Sequence, residues 1–269
     1  MSWRIVGASV PGTLHLNKNL PCQDSICYKV LPHNQAVVAI ADGAGFAARA
    51  EEGADLVVEH AVNLLVHHAL DFLDASEEVC KFLMTQVFKE TIRLLYRTAE
   101  RENKLPEVYA TTLTCVLAND LGLVVGQIGD GIAIAESASG SLMVAARPQK
   151  GEYANQSIFL TMTDAIRYLK VRVIRKPIRS FALLTDGLLR LALELPHGRP
   201  HASFFRPLIA FTSEFDNKDT AQNQLQDFLQ SSRVCERTED DKTIVLAVRT
   251  MPPIKHAKTI RIRESNRTL

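Results

Sequence analysis

Three Asp-Gly pairs punctuate the chain, and the residues after each pair decide whether the aspartate turns the backbone or does chemistry. In VVAIADGAG, Val37 to Gly45, the pair Asp42-Gly43 ends an apolar strand and is succeeded by AGFAARAEEGADL, which enters a helix. Asp186-Gly187 is succeeded by LLRLALEL, also helix-like, so neither pair has the second strand that a tight hairpin requires. Asp130-Gly131 precedes the strand-like IAIAE and reads first as a hairpin tip. Two further acids stand at strand edges: Asp24 before SICYKVL, and Asp240 of the pair Asp240-Asp241 before TIVLAV. A carboxylate at the end of a buried strand is costly unless it is paired or bound to a cation. Any one of these aspartates is also explained as a cap of a helix or turn. Asp24, Asp42, Asp186 and Asp240 together, with no histidine or cysteine partner, describe an oxygen site for Mg²⁺ or Mn²⁺. Glycine after the aspartate lets the backbone approach, so the carbonyl of Gly43 can join such a site.

The elements that must carry these acids can be read from periodicity. RIVGASV, SICYKVL and QAVVAIA read as strands, the last apolar enough to be buried on both faces. From Ala48 to Leu70 the positions Ala50, Ala54, Val57, Ala61, Leu64, Leu65 and His68 recur at helical spacing. A second helix spans about Ala75 to Glu100, with Asp74 and Glu77 at the spacing of a helix start. ATTLTCVLA, LGLVVGQI, IAIAES and SLMVAA then predict an antiparallel meander with turns at Asn119-Asp120, Asp130-Gly131 and Ser139-Gly140. The stretch ARPQKGEYANQSIFLTMTDAIRYLK shows no clear period and reads as an irregular excursion. VRVIR and SFALLT resume the sheet, FFRPLIAF and TAQNQLQDFLQSS are helical, and TIVLAVR closes as a strand. Runs of strands and runs of helices predict an α+β domain: a four-layer α-β-β-α sandwich of two antiparallel sheets flanked by helices.

One domain over residues 1–249 is expected, succeeded by a basic C-terminal extension over 250–269 that holds five Lys or Arg against one Glu. A net charge of +1 supplies no field for nucleic acid or an anionic membrane, so neither is expected as a partner. No run approaches the roughly 18 apolar residues needed to span a bilayer. Five scattered cysteines form no zinc spacing and read as reduced thiols, which points to a cytoplasmic location.

The ordered series NLPCQDS, VVAIADGAG, ATTLTCVL, QIGDG, FALLTDG and DDKTIVLAV resembles the metal-dependent protein serine/threonine phosphatases of the 2C type, in their bacterial branch. The resemblance runs from Gly7 to Arg249, and the fold it implies is the same four-layer sandwich. It further implies two Mg²⁺ or Mn²⁺ ions bridged by a water that attacks a phosphoserine or phosphothreonine in a protein substrate. By position, Asp42 would contact both ions and the Gly43 carbonyl one of them; Asp186 and Asp240 would hold the other, and Asp24 would act through bound water. A possible further ion would use Asp130, although the position that would complete it is Arg190.

The chain departs from the family pattern in three places. Gln23 stands where a glutamate is common, Ala44 where some members carry a histidine, and the segment HLNKNLPCQ just before Asp24 holds no arginine. His15 is the nearby group that could supply a proton or touch phosphate, and Lys18 is the cation left for phosphate binding, without arginine's bidentate fork. These departures define the alternative expectation, a catalytically weak or inactive module that binds or regulates.

Overall fold

The computed structural model describes residues 2–149 and 157–250. Strand β1 (Ser2–Val10) leads into the short helix α1 (Thr13–Asn17) and the hairpin β2 (Asp24–Leu31) and β3 (Gln35–Asp42). Helices α2 (Ala50–His67) and α3 (Glu77–Arg101) come next, then β4 (Leu113–Asn119), β5 (Gly122–Ile128), β6 (Ile132–Ser137), β7 (Leu142–Ala146), β8 (Lys170–Ile174) and β9 (Ile178–Leu184). The described residues finish with α4 (Leu189–Ala192), a ribbon of β10 (Leu193–Glu194) and β11 (Arg199–Pro200), α5 (Ala202–Glu214), α6 (Lys218–Gln230), α7 (Ser232–Cys235) and β12 (Lys242–Thr250). One sheet has the order β2-β3-β4-β5-β8 and the other β1-β12-β9-β6-β7, with antiparallel neighbours throughout.

The two buried faces of QAVVAIA explain the layering. Ala36, Val38 and Ile40 meet Phe181, Leu183, Val245 and Ala247 of the facing sheet. Val37, Ala39 and Ala41 alternate to the other side, under Val57, Val58 and Leu65 of α2 and Phe88 of α3. A third apolar layer sets Val6, Ile132, Leu184 and Leu246 against Phe205 and Leu208 of α5 and Leu225 of α6. Each fully buried leucine or phenylalanine in these layers contributes about 2–3 kcal/mol, so the α-β-β-α order results from the apolar pattern.

Three local expectations are corrected. The predicted meander breaks at Asp130-Gly131: β4 pairs with β5 and β6 with β7, but β5 and β6 lie in different sheets, so this pair is a crossover and not a hairpin tip. Gly129, at φ +117°, makes the reversal, and Gln149 Oε1 accepts from its N–H at 3.1 Å. Helix α3 starts two residues later than its acid spacing suggests, because Ser76 is the cap and its hydroxyl accepts from Val79 N–H at 3.3 Å. The segment LLRLALEL gives one turn, α4, and then strand β10. The irregular excursion stands where it is described, with a single 3₁₀ turn at Ala165–Tyr168; residues 150–156 and the basic extension after Thr250 lie outside the described residues.

Gly53 sits inside α2, where propensity alone favours alanine by roughly 1 kcal/mol. A Cβ there would lie 2.3 Å from the Tyr109 carbonyl oxygen, which α2 packs against. Gly53→Ala is therefore expected to destabilise the protein by about 1–3 kcal/mol, the usual cost of overpacking, and a lowered Tm checks it.

Candidate metal centre and active site

The acids gather because one end of the sandwich collects the ends of five strands. Asp42 is the last residue of β3 and pairs in register with Asp24, the first of β2. Asp130 lies in the β5–β6 crossover, Asp186 comes just after β9, and Asp240 precedes β12. Carboxylate oxygens of Asp42, Asp130 and Asp186 lie within 4.8 Å of one another. Asp24 and Asp240 stand outside this trio as charged neighbours: both raise the pKa of Asp42, as do Asp186 and Asp130. Asp42 thus feels the charges of all four other acids.

The backbone around Asp42 is fixed by threonines. Its carbonyl accepts from the Thr111 hydroxyl and from Thr112 N–H, each at 2.9 Å, and its N–H donates to the Thr112 hydroxyl at 3.0 Å. Gly43 bridges to Thr111 and donates its N–H to the Gln23 carbonyl at 3.1 Å; a Cβ on Gly43 would meet that oxygen at 2.7 Å. Ala44, in the place of a histidine, is buried with Ala47, Ala50 and Ala110, and Phe159 packs against the cluster. Thr185 donates its hydroxyl to Asp24 Oδ2 at 2.8 Å, tying the β9 end to β2.

The electrostatics are those of a site short of positive charge. Burial first, and then mutual repulsion, pushes Asp24 up to about 8 and Asp186 up to about 7, and raises Asp42 and Asp130 in the same direction. Among the described residues, Asp24 Oδ1, Asp130 Oδ1 and Gln23 Oε1 are buried without a hydrogen-bond partner. Orphaned oxygens in a site of oxygen donors alone fit a hard divalent cation. A pH dependence results. With folded pKa values above the unfolded ones, these aspartates favour the metal-free fold below about pH 4, and this contribution is lost as pH rises through about 7 and 8. In EDTA, Tm is expected to fall between pH 5.5 and 8.5, and saturating Mg²⁺ to remove most of that fall.

The remaining candidates sit on the segment before β2. His15 is in α1, with Nδ1 at 2.8 Å from Oδ1 and 2.9 Å from Oδ2 of Asp241, and Lys18 is exposed just beyond. Asp241, not Asp240, is the buried member of its pair. It also accepts from Gly12 N–H at 2.7 Å and Gln23 N–H at 2.6 Å, fastening the α1 segment to the start of β12. Nothing in its sequence context separates Asp241 from Asp240; its burial follows from the long-range partners Gly12, His15 and Gln23.

A sandwich of two antiparallel sheets flanked by helices, with carboxylates pooled at one end, is the architecture of metal-dependent phosphatases, and this chain belongs to the protein phosphatase 2C family, whose family model matches residues 11–230. It is 34% identical over 256 residues to "Serine/threonine-protein phosphatase 3" of Escherichia coli (strain K12), covering 92% of this chain and 99% of that relative. In fold it is similar to the serine/threonine phosphatase Stp1 from Staphylococcus aureus, with a TM-score of 0.62 and 14% identity over 93% of this chain and 96% of that one. The Mycobacterium tuberculosis serine/threonine phosphatase PstP/Ppp gives a TM-score of 0.59 at 16% identity, covering 93% of this chain and all of its own.

Proposed function

We propose that this protein is a phosphoprotein phosphatase acting on phosphoserine and phosphothreonine with two Mg²⁺ or Mn²⁺ ions, in cytoplasmic signalling. The observation that carries the reading is the carboxylate trio Asp42, Asp130 and Asp186, with the orphaned oxygens beside it. When bound, the ions supply an activated water at neutral pH and neutralise the phosphoryl oxygens. Asp42, which feels the charges of all four other acids, is assigned to both ions, the Gly43 carbonyl to one, and Asp186 and Asp240 to the other. Asp130 belongs with the same group, and Asp24 holds the outer shell from β2. Lys18 is assigned to phosphate as a point charge.

His15 is assigned to the leaving group. Asp241 orients its Nδ1, which leaves Nε2 to give a proton to the departing serine or threonine oxygen. The test separates this role from structure. Wild-type protein with Mn²⁺ is expected to hydrolyse both p-nitrophenyl phosphate and a phosphoserine peptide; absence of metal-dependent turnover on either overturns the reading. His15→Gln is expected to lose about 10²-fold in kcat on the peptide, whose alkoxide needs a proton, and little on p-nitrophenyl phosphate, whose leaving group does not. Equal losses on the two substrates would remove His15 as the acid.

A further inference from the structure

A cavity of about 620 Å³ opens between α4, α5, α6 and α7, on the helix layer that covers the β1-β12-β9-β6-β7 sheet. Its wall is apolar: Phe204 and Phe211 from α5, Phe228 from α6 and Leu191 from α4 are half-buried, with Leu208, Leu225 and Val234 beneath them. Three exposed arginines also line it, Arg190 on α4, Arg233 on α7 and Arg237 just after, and no acid does. Among the described residues, none of these three guanidinium groups makes a side-chain hydrogen bond or an ion pair. His201, also in the lining, has Nδ1 3.1 Å from the Leu191 carbonyl oxygen.

An apolar chamber with an unpaired cationic rim is complementary to a molecule with an apolar body and one anionic head. The volume falls inside the range of roughly 300–1,000 Å³ typical of small-molecule sites. The chain's own C-terminal extension, with five Lys or Arg against one Glu, carries the wrong charge to fill it. Planar guanidinium forks match the two oxygens of a carboxylate.

We infer that this cavity binds a single-chain amphipathic carboxylate of the fatty-acid class, with its chain against Phe204, Phe211 and Phe228 and its head on Arg233 and Arg237. The site is distinct from the carboxylate cluster and needs no metal. It nonetheless adjoins in sequence two of the segments that present metal-site acids: Arg190 is four residues past Asp186, and Arg237 three before Asp240.

Calorimetric titration of the full-length protein with laurate, below its micellar concentration and in EDTA, tests the inference. One equivalent is expected to bind the wild type. Affinity should fall at least 10-fold in Arg233→Ala/Arg237→Ala, whose surface substitutions leave Tm unchanged, and at least 10-fold when dodecyltrimethylammonium replaces laurate. Ser203→Trp, at the lining edge of α5, should also weaken binding by narrowing the chamber. Absence of laurate binding, equal binding of the cationic amphiphile, or indifference to the arginine substitutions would overturn the site. Tighter binding of dodecylphosphonate than of laurate would overturn the carboxylate assignment. Displacement of laurate by an acidic amphipathic peptide of higher affinity would assign the surface to a protein partner instead.

Discussion

Replacing Asp42 by asparagine is expected to abolish metal-dependent phosphopeptide hydrolysis while raising the stability of the metal-free protein. Both effects come from one fact: burial, and then the charges of four other aspartates, disfavour the ionised form of Asp42. Asparagine keeps the size and removes the charge. The metal-free fold then carries less repulsion, and its Tm in EDTA at pH 8 should rise. The divalent ions lose the ligand assigned to both of them. The rate should fall well beyond the roughly 10–100-fold that loss of an outer-shell partner costs. Phosphate release and thermal unfolding, measured on the same preparation, check the two halves. A variant that kept its activity, or unfolded earlier in EDTA, would show that Asp42 is held by some other partner than a cation.

The second large effect is expected at the start of β12, in the facing sheet, and is structural. Asp241 accepts from two backbone N–H groups, Gly12 and Gln23, and from His15, and only 4% of its surface is exposed. Asp241→Ala leaves these donors without an acceptor in the interior, and breaking a buried charged network of this kind costs about 3–5 kcal/mol. For a chain of this size that is a Tm lower by roughly 10 °C. Mg²⁺ should not restore it, which distinguishes Asp241 from the acids of the trio. A fall confined to activity, with Tm unchanged, would contradict the clamp.

These two aspartates show how far the sequence reaches. Asp42 was legible because the residues after Gly43 enter a helix, which rules out a hairpin, and because an apolar strand ending in an unpaired acid needs a counter-charge. Asp186 was legible on the same grounds. The fold could be read from QAVVAIA, whose unbroken apolar run has to be covered on both sides, by α2 and α3 on one and the second sheet on the other. Asp130 was harder. A Gly-Asp-Gly between two strands has the same local signature whether the strands pair or part, and only the long-range pairing of β5 with β8 and β6 with β9 sends it across the sandwich into the acid cluster. Asp241 was hidden for a related reason. Its partners Gly12, His15 and Gln23 are more than 200 residues away in sequence, and two are backbone N–H groups with no side-chain identity.

The geometry also gives the family departures a physical setting. Ala44 lies in a small apolar cluster with Ala47, Ala50 and Ala110, and its methyl group has no proton to give. Gln23, next to Asp24, keeps a buried Oε1 that has no hydrogen-bond partner among the described residues, so it remains a neutral oxygen at the position where the family pattern has a carboxylate. A module kept only for binding would have no use for several carboxylates held at raised pKa. That arrangement is a cost to the metal-free fold, and a bound cation offsets it.

Calorimetric titration of Mn²⁺ into the EDTA-stripped, dialysed protein tests the two-ion assignment most directly. Two equivalents per chain are expected for the wild type, with proton release as the raised aspartates ionise, and neither equivalent at comparable affinity for Asp42→Asn. Absence of saturable Mn²⁺ binding to the wild type, or binding of the same stoichiometry and affinity by Asp42→Asn, would contradict it.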